Sequence, residues 1–300
     1  MRRFWSALLL LALPLQAPLQ AWNATGHRIV AAIAYDRLTD KARARVDELL
    51  RQHPDFKALL GRDAFLAASV WPDVIKGDNR FYDDTRPNVQ PTPLLPDFAG
   101  VGFLNMARHT NWHYIDFPFS PDGTPLELPR SPNALIEIRR ILKEASISVH
   151  DLPWLVHLTG DVHQPLHCTS RFTKSLPHGD QGGNLVFVTP GRNLHALWDD
   201  LAGTDTTDAY VNRYATEITA EFVNGNGQRP RLSRDPKRWV DEGFDLAKRE
   251  VYNFGPESGS REHPVPLPPA YEANARRIAR IQLAKAGFRL AAALNSKLGR

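Results

Sequence analysis

Cysteine is nearly absent from this chain: Cys168 stands alone among 300 residues, so no intramolecular disulfide can form. The simplest reading of Cys168 is a small apolar side chain in the core. Long apolar runs are missing too. Residues 7–13 make a run about half the length of the roughly 20 residues that a membrane-spanning helix requires, and no later stretch comes near it. A strong charge of one sign is also lacking, with 37 Lys and Arg against 33 Asp and Glu. Without Arg2 and Arg3 the basic count is 35 against 33, a net of +2. So weak a balance does not mark the whole surface as a partner for nucleic acid. Any attraction for anions must come from a local site.

What is present is the composition of a soluble globular protein, 42% hydrophobic and 23% charged, with room for one large core or two small ones. The N-terminus reads Met1-Arg2-Arg3, the apolar run, Pro14 and then a small residue at Ala21, the order of a secretory signal peptide. The expected division is therefore a signal peptide over residues 1–21 and a mature domain over 22–300, secreted or periplasmic. Leu19 stands three residues before the cut, where a small side chain is more usual. An exported chain without disulfides needs another source of stability, and bound metal is the obvious one.

The pattern is helical from His27 to about Leu50, with Thr39 placed to restart a second helix. Residues 77–100 are rich in Asp, Asn and Pro and read as a long loop, a length that in compact proteins often goes with function. Helical patterning returns near 132–145 and 152–160. Residues 171–183 read as a polar loop, 184–189 as a short strand turned at Pro190-Gly191 into a helix around His195, the only notable β-structure expected. Three more helices are expected near 207–223, 235–252 and 269–298. No repeat or linker is visible, so the expectation is an all-α fold, a single mainly helical domain with a short β-hairpin-like element.

His157 and Asp161 lie four apart on an apolar helical stretch, and His195 and Asp199 repeat that spacing, so each pair points two metal-competent side chains to one side. Pro165 breaks the first helix and lets the chain turn back with His167. Both pairs could instead be solvated polar faces. The flanking Leu155, Val156, Leu158, Leu194, Leu197 and Trp198 argue for burial, and a buried carboxylate without a cation or strong hydrogen bonds is costly.

In order, Trp22-x4-His27, Trp71-Pro72-Asp73, Trp112-His113-Tyr114-Ile115-Asp116, His157-x3-Asp161-x5-His167, Gly182-Gly183-Asn184 and His195-x3-Asp199 resemble the zinc-dependent single-strand nucleases of the S-one/P-one type. Residues 286–295 look like that family's last helix. The resemblance implies a helical fold holding three Zn2+ ions. One would take Asp73, His113, His157 and Asp161. A second would take Asp161 again, His27, and the α-amino nitrogen and carbonyl oxygen of Trp22. The third would take His167, His195 and Asp199. Mixed His and carboxylate sets with open positions are catalytic rather than structural sites.

The same resemblance implies an endonuclease on single-stranded DNA and RNA that is also a 3′-nucleotidase, leaving 5′-phosphate ends, with Asp73, Asp161 and Lys76 in the catalytic machinery. Lys76 either clamps phosphate or is a solvated surface lysine. Tyr114 would stack on a base, Asp116 would bond a base edge, and Asn184 would also contact substrate. No protein partner is implied. Fungal and plant members carry disulfides, which this chain cannot. The alternative is a zinc phospholipase C, which shares the metal pattern but has a longer gap between the N-terminal Trp and the first His and ends its ligand set with Glu rather than Asp199. A non-catalytic zinc-binding or nucleic-acid-binding module is the remaining reading.

Overall fold

The computed structural model describes residues 22–225 and 232–299; the expected signal peptide lies outside the described residues. The chain is mainly helical. Helix α1 spans Ala24–Tyr35 and α2 Asp40–Gln52. Thr39 does restart the second helix, its hydroxyl accepting from Ala42 N at 3.3 Å, a cap that satisfies one orphan amide of the first turn. Then come α3 (Gly61–Val74), a four-residue α4 (Pro96–Ala99), α5 (Ala134–Lys143) and α6 (Asp151–Asp161). The C-terminal part holds α7 (Leu194–Asp199), α8 (Asp208–Asn224), α9 (Pro236–Leu246) with a wider turn to Val251, and α10 (Tyr271–Leu298).

The core lies around α1 and α6. All eleven residues of α6 are buried, which explains its apolar run from Leu152 to Val156, and the polar His157 and Asp161 are buried with it. Helix α1 packs against α10, α3 and α8, and α3 packs against α6. Gly287 lets α10 approach α1, because a Cβ there would stand 2.5 Å from Ile33 Cβ.

Two departures from the sequence reading place the site. Helix α3 is unannounced, since Pro72 lies inside it, and it carries the Trp71-Pro72-Asp73 motif. The β-structure is not confined to the hairpin of β3 (Phe187–Val188) and β4 (Arg192–Asn193). A parallel pair joins β1 (Phe117–Phe119) to β2 (Thr169–Arg171), in register Phe117 to Thr169. Ile115 N bonds to His167 O at 2.9 Å just before it. The pairing therefore brings the segment of His113, Tyr114 and Asp116 beside that of His167.

The loop over 77–100 is long but not loose. Phe81, Phe98 and the following Phe103 are buried, and Arg80 forks onto Asp55 at 2.7 and 3.1 Å. The expected polar loop 171–183 likewise begins and ends inside the protein. Arg171 and Asp180 are both buried, with Arg171 N donating to Asp180 Oδ1 at 2.9 Å.

Candidate active site

Asp161 ends α6, fully buried, and its two carboxylate oxygens face different partners. Oδ1 lies 3.3 Å from His27 Nε2. Oδ2 lies 3.2 Å from His113 Nδ1 and 3.4 Å from His157 Nε2. Neither oxygen has a hydrogen-bond partner, an arrangement that costs several kcal/mol for a buried carboxylate unless a cation takes up the charge. Asp73, from the C-terminal end of α3, points Oδ1 to the same place, 3.7 Å from His113 Nδ1 and 3.8 Å from His157 Nε2.

The imidazoles are held for ligation. His157 donates Nδ1–H to Ser69 O, His167 to His113 O and His195 to Gly182 O, each at 2.7 Å. A ring that gives its one proton to a carbonyl presents a bare lone pair at Nε2, the usual support of a metal-binding histidine. His167 and His195 then aim two such nitrogens at each other across 3.0 Å. Two lone pairs so placed repel unless a cation or a proton lies between them. Protonation is disfavoured, because burial holds His113, His157 and His167 well below the ordinary imidazole value. Burial pushes the Asp161 carboxyl up to about 7 and Asp199 well above the carboxylate range, because a low-dielectric interior disfavours the charged form.

Three donor groups result: His27, Asp73 and His157; His113, His157 and Asp161; His167, His195 and Asp199. The third coincides with the set the sequence implies. The first two share the residues expected of a paired site but group His27 with Asp73 and His157, while the 3.3 Å approach of His27 to Asp161 also holds. Orphaned oxygens, facing lone pairs and a donor set of imidazole and carboxylate without thiolate all fit a divalent cation of the zinc type.

Local sequence explains the precision. Gly160 lets the His27 ring lie against α6, since a Cβ there would stand 2.8 Å from His27 Nδ1. Gly182 has φ +61°, and a Cβ there would stand 2.4 Å from Leu166 O, so only glycine presents the carbonyl that His195 needs. Trp22 is fully buried just before α1, and the next amide, Asn23 N, bonds to Asp199 O at 3.4 Å. The chain thus enters beside the third group.

Lys76 is no solvated surface lysine. Its side chain is 6% exposed and pairs with Asp73 Oδ1 at 2.6 Å, and it lines the cleft over the metal groups. Tyr114, Asp116 and Asn184 line the same cleft, all three half-buried. Sequence reasoning missed Gln164, which donates to Asp199 Oδ1 at 2.9 Å and so fixes that carboxylate; its place between His157 and His167 was the available signal. It also missed Ser69, whose carbonyl carries no signal in its residue type.

Residues 22–299 match the model of the S1/P1 Nuclease family. The chain belongs to that family. Endonuclease 3 of Arabidopsis thaliana is 24% identical over 98% of this chain and 94% of its own length. Endonuclease 5 of the same plant is 26% identical over 98% and 96%, and Nuclease S1 of Aspergillus oryzae is 28% identical over 39% of each chain. Membership makes the protein a hydrolase acting on phosphodiester bonds of nucleic acid. Among the described residues no helix is long and apolar enough to cross a membrane.

Proposed function

We propose that this nuclease is an exported, three-zinc enzyme that cleaves single-stranded DNA and RNA and removes phosphate from 3′-nucleotides, leaving 5′-phosphate ends on its polymer products. The observation that carries the reading is Asp161, whose two unpartnered oxygens face His27 on one side and His113 with His157 on the other. That is how a carboxylate bridging two cations is built. Zinc, when bound, lowers the pKa of a coordinated water towards 7 and polarises phosphoryl oxygen.

The chain's own residues supply the rest. His113, His157 and Asp73 would join Asp161 in holding one ion, His27 and Trp22 would hold its neighbour, and His167, His195 and Asp199 would hold the third. Lys76, held by Asp73 at the cleft wall, places a positive charge where a phosphate enters. Tyr114 offers a ring on which an unstacked base can lie, a contact worth about 1–3 kcal/mol per base. Only single strands present such a base, which supports the proposed preference better than the net charge does.

Export would fit the same scheme, since peptide-bonded Trp22 has an amide nitrogen, a poor metal ligand. Cleavage after Ala21 frees an amine with a pKa of about 8, which can chelate through nitrogen and its own carbonyl oxygen. Elemental analysis of protein beginning at Trp22, with end-group analysis of cleaved single-stranded DNA, tests the reading. Three zincs and 5′-phosphate ends are expected. Zinc-free active enzyme, 3′-phosphate ends, or faster attack on phosphatidylcholine than on DNA would overturn it.

A further inference from the structure

The cleft, about 230 Å³ in volume, is lined by His113, His167 and His195 of the metal groups and also by Tyr114, Asp116, Arg130, Ser170 and Phe172. Asp116 is half-buried there and adopts φ +57°, a left-handed conformation that costs a residue other than glycine and recurs at functional positions. Arg130 is the cation near enough to lower the Asp116 pKa, against the burial that raises it to about 7. Among the described residues, neither the Asp116 carboxylate nor the Arg130 guanidinium has a hydrogen-bond or ion-pair partner; only the Arg130 carbonyl is engaged, by Asn133 at 2.9 Å. A carboxyl and a guanidinium thus line one small cleft and stay unjoined, with Tyr114 and Phe172 in the same lining.

We infer that Asp116 and Arg130 together read the base of the bound nucleotide and select guanine, an assignment that rests on the nuclease reading above. Guanine is the nucleobase with two adjacent donors, N1–H and N2–H, on its pairing edge, and the two oxygens of a carboxylate accept both. Its O6 and N7 present two acceptors in the spacing of a guanidinium fork. Adenine and cytosine offer one amino donor beside an acceptor, and uracil and thymine one imide donor between two carbonyls. Each of these leaves one member of the pair unmatched, and at the half-buried Asp116 an unmatched polar group is costly. Tyr114 and Phe172 supply ring faces that hold any base, so the charged pair decides which base is favoured.

The test uses processed protein loaded with zinc, comparing kcat/KM on the 3′-monophosphates of guanosine, adenosine, cytidine and uridine, with bis-p-nitrophenyl phosphate as a base-free diester. The guanosine nucleotide should lead the others by about tenfold or more, the scale of one bidentate base contact. Arg130→Ala should erase most of that lead, and Arg130→Lys, which keeps the charge and loses the fork, should not restore it. Asp116→Asn should shrink the lead as well; unchanged zinc content and melting temperature show that these variants are folded. Equal rates on all four nucleotides, or an Arg130→Ala loss that is the same for each, would overturn the inference, the second marking Arg130 as a phosphate contact. No hydrolysis of any nucleotide or of the diester would instead overturn the parent reading, and this inference with it.

Discussion

At the metal end of the cleft, His157, His167 and His195 are fixed by backbone carbonyls at 2.7 Å, and Asp161 and Asp199 are set on helices buried in the core. At the base end, Tyr114 and Asp116 stand on the short stretch between His113 and β1, and Arg130 is exposed on the loop before α5. The first end is over-determined, with rings and carboxylates that no neighbouring side chain can move without opening the core. The second is built of loop residues, where the Tyr114 hydroxyl is held by Asn111 at 2.9 Å while the Asp116 carboxyl and the Arg130 guanidinium have no partner among the described residues. Chemistry common to every substrate belongs on the rigid end, and discrimination among substrates on the adjustable one.

The contrast is broken most severely at Asp161. Asp161→Asn should lower turnover by at least about a hundredfold on every substrate and release more than one metal ion, because a shared ligand is lost from two groups at once. Elemental analysis alongside turnover measures both. Near-normal activity with three ions retained would show that Asp161 does not bridge.

Extending the chain comes next. Protein with one extra Met or Ala before Trp22 should hold the ion next to His27 weakly or not at all and lose most of its activity, since an amide nitrogen replaces the amine. Equal metal content and equal rates in the two forms would remove Trp22 from the ligand set.

Metal removal sharpens the difference through its pH dependence. In the metal-free fold the depressed histidines stay neutral while the unfolded chain takes up protons below about pH 6.5, so their share of stability falls as pH drops through that value. The raised carboxyls act in the opposite sense. Asp161 keeps its proton up to about 7 in the fold and loses it near 4 when unfolded, so this share falls as pH rises between those values. Zinc needs both acids ionised, so binding at pH 6 should release protons from Asp161 and Asp199, and fewer at pH 8. Calorimetry in buffers of different ionisation enthalpy reads this directly. Heats independent of buffer would contradict the protonated carboxyls, and a melting temperature unaffected by chelator would contradict metal as the substitute for disulfides.

The smallest effect is expected at the base end. Tyr114→Ala should raise KM for nucleotides by roughly five- to a hundredfold, the equivalent of about 1–3 kcal/mol of stacking, with a much smaller loss on bis-p-nitrophenyl phosphate. Equal losses on the two substrates would make Tyr114 a support of His113 instead.

Much of the metal end was legible because it obeys a period. His157 with Asp161 and His195 with Asp199 fall four apart, and the apolar residues between them announced burial, so a helix and its inward face followed from spacing. Asp73 was recognised through its motif but not through its helix, since Pro72 disguises α3. The β1–β2 pair was missed because strands of three residues have no period to read, and their partner lies about fifty residues away. Lys76 could be assigned neither to surface nor to site, since burial of its stem depends on what α3 packs against.

The sequence by itself determined a helical chain with two His-x3-Asp pairs and His167 beside the first, because helical spacing and residue chemistry are local properties; His27, Asp73 and His113 joined them only through the resemblance of their motifs. Tertiary structure alone decided that each oxygen of Asp161 faces a different histidine, that Gly182 carries the carbonyl orienting His195, and that Asp116 and Arg130 line one cleft without touching. These depend on segments joined by long-range packing and by a parallel strand pair, and no local pattern encodes a distance between residues that meet only in the folded chain.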